Sequence, residues 1–153
     1  MYTTLLPGIE LQDLFSNTSN SFNSYLPKNR TFYSRGRVAL GIGIDALTLT
    51  KGNGVLLPAS ICREVLMPFL EREISISYYA LDINLQPKLD DLNSKVTENI
   101  HAIYVNHYFG YPTDCSDIRK ICDRQGIALI EDCAHGFLNK NLGKTGDISI
   151  YSF

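Results

Sequence analysis

Ile127-Ala128-Leu129-Ile130-Glu131-Asp132-Cys133-Ala134-His135-Gly136, followed further on by Gly146-Asp147-Ile148-Ser149-Ile150-Tyr151-Ser152-Phe153, is the stretch whose reading decides the fold. Ile127 to Glu131 is a near-continuous apolar run, the pattern of a strand buried on both faces. It delivers an aspartate and then a histidine at its carboxyl end. Ile148 to Phe153 reads as another apolar strand, with Ser152 beside its end. In a parallel sheet ligands bind at the carboxyl ends of the strands. Asp132, His135 and Ser152 therefore fall where a site belongs, together with His107.

Outward from this stretch the same alternation repeats. Val38 to Leu49 carries apolar residues at helical spacing, interrupted by Gly41 and Gly43. Lys51-Gly52-Asn53-Gly54 is a turn, Val55 to Pro58 a short buried strand, and Ile61 to Arg72 a helix that must accommodate Pro68. Ile74 to Leu81 reads as a strand, Lys88 to Val96 as a short helix and His101 to Asn106 as a strand. Asp114 to Gln125 is a helix stopped by Gly126 in the C-cap position. Strands alternating with helices predict an α/β fold: a mostly parallel sheet with helices on both faces. Residues 1–30, rich in Asn and Ser, read as a polar arm, and residues 31–153 as the domain.

At 153 residues the chain is long enough for a real core, and its 44% hydrophobic content is ordinary for a soluble protein. A net charge of −2 with scattered Lys and Arg gives no electrostatic reason to expect nucleic acid or an anionic membrane as partner. Every apolar stretch falls short of a membrane span, and the first residues lack the pattern of a secretory signal. Cys62, Cys115, Cys122 and Cys133 form no C-x-x-C pair and lie at no metal-ligand spacing from the histidines. The expectation is reduced, partly buried thiols in a cytoplasmic protein with no metal site.

Each candidate residue has two readings. A carboxylate at Asp132 suits a cationic heterocycle nitrogen in a low-dielectric pocket, or it is a helix N-cap or turn aspartate. His135 projects into the same space, or it is a satisfied structural histidine. Cys133 between them reads as packing. Two segments compete to bind an anion. Gly41-Ile42-Gly43-Ile44-Asp45 is glycine-rich but lies inside the helical pattern. Arg35-Gly36-Arg37-Val38 opens the first long helix, where free N–H groups and the helix dipole favour negative charge, and Arg37 adds its own. The physics favours Gly36 and Arg37.

From Phe32 to Phe153 the chain resembles the amino-terminal part of the DegT/DnrJ/StrS-type aminotransferases. The resemblance rests on Val55-Leu56-Leu57-Pro58-Ala59, Asn106-His107-Tyr108-Phe109-Gly110-Tyr111-Pro112, Ile130-Glu131-Asp132-Cys133-Ala134-His135, and Gly146-Asp147-Ile148 through Ser152-Phe153. It implies part of the large domain of the pyridoxal-phosphate-dependent aspartate aminotransferase fold, with pyridoxal 5′-phosphate as cofactor. It further implies nucleotide-linked keto-sugars and an amino donor as substrates, and a homodimer. Under it, Asp132 pairs with the pyridinium nitrogen, His135 lies by the ring hydroxyl and Ser152 holds the phosphate. Aligning Arg35 to Leu40 with the family's phosphate loop keeps the spacing, so Gly36 and Arg37 complete the set. The D-A-L of Asp45-Ala46-Leu47 is then a decoy.

Two departures follow. The family's ring-stacking aromatic has no counterpart among Ser60, Ile61 and Cys62. The Schiff-base lysine, which follows the Ser-Phe pair in the family, is not among the 153 residues, and Lys140 and Lys144 precede Ser152. The expectation is a fragment that recognises the cofactor without transaminase activity of its own. The alternative is a non-catalytic module that binds a phosphate-bearing ligand or regulates a partner.

Overall fold

The computed structural model describes residues 30–136 and 139–152. Nearly all of the polar arm, and Phe153, lie outside them. The strands are β1 (Gly54–Pro58), β2 (Ser75–Tyr79), β3 (Ile100–Asn106), β4 (Ala128–Asp132) and β5 (Ile148–Ile150). They form one sheet in the order β2-β1-β3-β4-β5, and every pairing is parallel. Helices α1 (Gly36–Ala46), α2 (Arg63–Leu70), α3 (Leu89–Ser94) and α4 (Ser116–Gln125) supply the layers.

The near-continuous apolar strands are explained by cores on both faces of the sheet, because successive side chains point to opposite sides. On one face Leu40 and Ile44 of α1 and Val65 and Phe69 of α2 pack on Val55, Leu57, Ala102, Tyr104 and Ile130. On the other, Leu92 of α3 and Ile118, Ile121 and Cys122 of α4 pack on Leu56, Ile103, Val105 and Leu129. Phe69 meets Tyr104 edge to face, with ring centroids 6.3 Å apart.

Helix ends differ from the pattern in the sequence for identifiable reasons. Gly126 closes α4 in the left-handed conformation, φ 66°, as its position predicts. Two other helices end with the same geometry at residues that give no such signal. Thr48 (φ 56°) follows α1, where Leu49 N–H bonds to Ile44 O; Glu73 (φ 54°) follows α2, where Ile74 N–H bonds to Phe69 O. These closures stop α1 at Ala46 and α2 at Leu70. At its other end α2 begins only at Arg63, because Cys62 stays extended (φ −78°, ψ 153°). Asp114 stays outside α4, its carboxylate accepting the Ser116 N–H at 2.9 Å.

Two strand ends also shift. Asp132 does not leave the sheet but forms the last rung of β4, opposite Asn106 and Ile150. β5 is shorter than expected, so Tyr151 and Ser152 lie beyond the ladder.

The connection from β4 to β5 has no helix among its described residues, although a parallel crossover ordinarily uses one. A buried carboxylate does the ordering. Glu131, 2% exposed, accepts backbone N–H groups from Gly143 (3.1 Å), Thr145 (2.7 Å) and Gly146, and the His107 Nε2–H at 2.8 Å. Thr113 N–H donates to His107 Nδ1 at 3.0 Å, which places the ring proton on Nε2. Burial pushes the Glu131 carboxyl up, but the bonds from His107, Gly146 and Thr145 outweigh it and hold it below the ordinary carboxylate range.

The stability that Glu131 contributes is present above the unfolded-state value of about 4.3 and is lost as pH falls through its lower folded value. Glu131→Gln is expected to cost about 3 kcal/mol at neutral pH, and the gap to the parent should close as pH drops below about 4. Urea unfolding of both proteins across that range checks this; a gap independent of pH would contradict it.

Candidate functional site

Because Glu131 and Asp132 are neighbours on a strand, they face opposite sides of the sheet. Asp132 faces the side covered by α1 and α2. There the carboxyl ends of the strands and the amino terminus of α1 enclose a pocket of about 530 Å³. Gly36, Arg37, Asp132, His135 and Ser152 all line it, so the residues singled out in the sequence come together in one cavity. Lys140 and Lys144 do not line it, and among the described residues no other lysine does.

Asp132 is 7% exposed and firmly held. Its Oδ2 accepts the Tyr104 hydroxyl at 2.5 Å, and its Oδ1 accepts the Ala134 N–H at 2.9 Å. The second bond is an aspartate turn, so the structural reading of this residue is realised alongside its place in the pocket. Burial, reinforced by the Asp132 charge, pushes the Tyr104 phenol well above its ordinary pKa and keeps it a donor. A carboxylate supported this way suits a cationic ring nitrogen, because both partners stay charged in a mostly buried position.

At the opposite wall, Arg35 O accepts the N–H groups of Val38 and Ala39. The N–H groups of Gly36 and Arg37 precede them in the first turn, where backbone N–H groups lack a partner within the helix and can attract an anion. A Cβ on Gly36 would meet nothing within 4 Å, which leaves the mouth of the helix open. Arg37 is not an unopposed charge: its Nη1 pairs with Glu64 Oε2 at 3.1 Å, on the first turn of α2. The rival glycines lie inside α1 and serve packing. A Cβ on Gly43 would come within 2.5 Å of the Ile148 side chain, and one on Gly41 within 3.1 Å of Arg72. Asp45 is bound at both oxygens by the Arg72 guanidinium, at 2.6 and 2.8 Å.

His135 is exposed, and its Nδ1 accepts the Phe109 N–H at 3.2 Å. The two rings stack with centroids 5.9 Å apart and planes 20° apart. Phe109 and Gly110 both take positive φ, 54° and 80°, and a Cβ on Gly110 would lie 2.8 Å from His135 O. The loop after β3 and the loop after β4 thus fit against each other, with His135 between them and the pocket.

Sequence reasoning missed Tyr104, Asn106 and Tyr108, which also line the pocket. The first two were within reach: the period of two along β3 places them on the Asp132 side. Tyr108 is the aromatic present where residues 60–62 supply none. Its hydroxyl donates to Ser60 O, and burial pushes its pKa up to about 12.

Cys62 is exposed, and Cys115, Cys122 and Cys133 are buried as free thiols. Ligand atoms of His107, Cys115 and Glu131 lie within 4.8 Å of one another. Both His107 nitrogens and both Glu131 oxygens are already used in the hydrogen bonds above, and burial pushes the Cys115 thiol up to about 12. That arrangement is a protein hydrogen-bond network, with no lone pair of His107 left to ligate.

A family model described as the DegT/DnrJ/EryC1/StrS aminotransferase family matches residues 22–153. GDP-perosamine synthase of Vibrio cholerae is 31% identical over 135 residues, covering 82% of this chain and 36% of that protein. The crystal structure of NtdA from Bacillus subtilis, with bound cofactor PMP, superposes with a TM-score of 0.68 at 31% identity, covering 74% of this chain and 26% of NtdA. The structure of 3-amino-5-hydroxybenzoic acid synthase superposes with a TM-score of 0.71 at 21% identity, a likeness of fold. The fold is that of part of the aspartate aminotransferase architecture. The chain spans about a third of the length of such relatives.

Tyr104→Phe removes the hydroxyl bond to Asp132 and keeps the ring that meets Phe69. It is expected to lower the unfolding free energy by about 2 kcal/mol, seen as a lower urea midpoint at unchanged slope. An unchanged midpoint would mean that Asp132 does not depend on this bond.

Proposed function

This chain belongs to the DegT/DnrJ/EryC1/StrS aminotransferase family, and we propose that its pocket is the pyridoxal 5′-phosphate-recognising part of an aminotransferase for nucleotide-linked keto-sugars. The observation that carries this reading is one cavity with a buried carboxylate on one wall and a helix amino terminus on another. A ligand joining a cationic ring to a phosphate answers both. When bound, pyridoxal phosphate supplies an electron-withdrawing ring that stabilises charge developing on an amino-bearing carbon.

The residues of the chain then divide the work. Asp132 holds the proton on the ring nitrogen, with Tyr104 and Ala134 fixing the carboxylate. The Gly36 and Arg37 N–H groups and the Ser152 hydroxyl take the phosphate. His135, fixed by Phe109, stands by the ring hydroxyl, and Tyr108 flanks the ring in place of the family's aromatic. Glutamate or a related amine is the proposed donor, and a homodimer the proposed assembly. Among the described residues no helix is long and apolar enough to cross a membrane.

Among the described residues no lysine lines the pocket, and on the same proposal residues 1–153 recognise the cofactor without supplying the amine that moves protons in the family. The same observation supports a second reading, a phosphate-ligand module that acts by binding alone.

Titrating purified protein with pyridoxal phosphate, followed by its absorbance and by equilibrium dialysis, tests the proposal. Saturable binding is expected, weakened about thirtyfold in Asp132→Ala. Glu64→Gln should tighten binding a few-fold, because it frees Arg37 and removes a negative charge from the phosphate end. Incubation with glutamate should yield no pyridoxamine phosphate from residues 1–153; turnover would overturn the inactivity. Absence of saturable binding would overturn the cofactor assignment.

A further inference from the structure

Asn106 is the last residue of β3 and the cross-strand partner of Asp132. It is 8% exposed and lines the pocket. A strand end with an apolar face on one side and a cavity on the other is an unfavourable place for asparagine, which is depleted in strands. Its backbone is satisfied: Thr113 Oγ1 donates to its carbonyl at 3.1 Å. Tyr108, which also lines the pocket, gives its phenol proton to Ser60 O. No donor of the described chain reaches the Asn106 amide oxygen: Oδ1 is buried and without a hydrogen bond. Buried acceptors in native proteins are paired in the great majority, so an orphan that lines a cavity marks the place of a missing donor.

We propose that Asn106 is a ligand-contact residue of this pocket, its Oδ1 serving beside Asp132 as a second acceptor for the N–H that the bound molecule presents at this end of the cavity. The inference deepens the cofactor reading and rests on it. Asp132 and Asn106 form a pair of acceptors on adjacent strands. Asp132 already carries two protein donors, whereas Asn106 Oδ1 carries none, so a ligand donor gains a partner that nothing in the chain competes for. The pair selects ligands that present donors, not acceptors, at this end of the cavity. Phosphate, an acceptor, is directed to the far wall.

Asn106→Leu keeps the size of the side chain and removes the orphan acceptor. Three measurements on parent and variant test the proposal: pyridoxal phosphate affinity, inhibition of that binding by inorganic phosphate, and the melting temperature of the unliganded protein. The expected result is an affinity for pyridoxal phosphate about tenfold weaker, an unchanged inhibition constant for phosphate, and a melting temperature equal to or above the parent's. A ligand contact lowers affinity without lowering unliganded stability; a structural asparagine does the reverse. Affinity within twofold of the parent overturns the proposal and leaves the cofactor reading standing. A lower melting temperature, or an equal loss of phosphate binding, also overturns it, because the pocket itself would then be distorted. A parent that binds no pyridoxal phosphate overturns both.

Discussion

The buried carboxylate of Glu131 is the constraint on which the carboxyl end of the sheet depends. Parallel strands ordinarily obtain their crossover from a helix that packs on the sheet and fixes the return of the chain. Between β4 and β5 the described chain instead gathers backbone N–H groups around one anion, with His107 closing the fourth position. The interaction is strong because it is charge-assisted and dry. Its geometric effect matters more than its energy. It sets where β5 enters the sheet, and so where Ser152 stands relative to Asp132, while His107 links the same anion to the loop after β3. Three walls of the pocket are referred to one group that is not itself in the pocket.

Much of this architecture was readable from residue order. Apolar strands alternating with amphipathic helices can bury their surface only in a covered parallel sheet, and the strand ends then place Asp132, His135 and Ser152 at one edge. The place of Gly41 and Gly43 inside α1 was also legible, since glycines within a helical period belong to the helix. What escaped the sequence had no local signal. Thr48 and Glu73 adopt left-handed conformations at residue types that do not announce them, closed by the backbone bonds of Leu49 and Ile74, so α1 and α2 end earlier than their periodicity indicates. Glu131 reads as a strand residue, and the donors it gathers lie far along the chain. Tyr104 and Asn106 fit a buried strand by residue pattern alone, and only the pairing of β3 with β4 shows that they share a face with Asp132.

Electrostatically the pocket is balanced at each end. The anionic wall is Asp132, whose charge is spread over two donors. The cationic wall is a helix terminus with Arg37, partly offset by Glu64. Offsetting an exposed arginine costs little in stability and moderates how tightly an anion is held. A wall made of backbone dipoles and two arginines, Arg35 and the shared Arg37, discriminates by shape and position as well as by charge. Such a wall is suited to a doubly charged phosphate attached to a larger body, and less to small free anions that do not reach the other end.

The stacked pair of Phe109 and His135 carries a consequence for the cooperativity of local opening. Gly110 lies against the His135 carbonyl so closely that a methyl group would not fit, and the Phe109 amide is spent on the His135 ring. Neither loop can swing away without breaking the bond and the stack that hold the other. In hydrogen-exchange terms the segments after β3 and β4 form a single unfolding unit, anchored at its base by His107 and Glu131. Any molecule that rests on both His135 and Phe109 then slows amide exchange in both loops together.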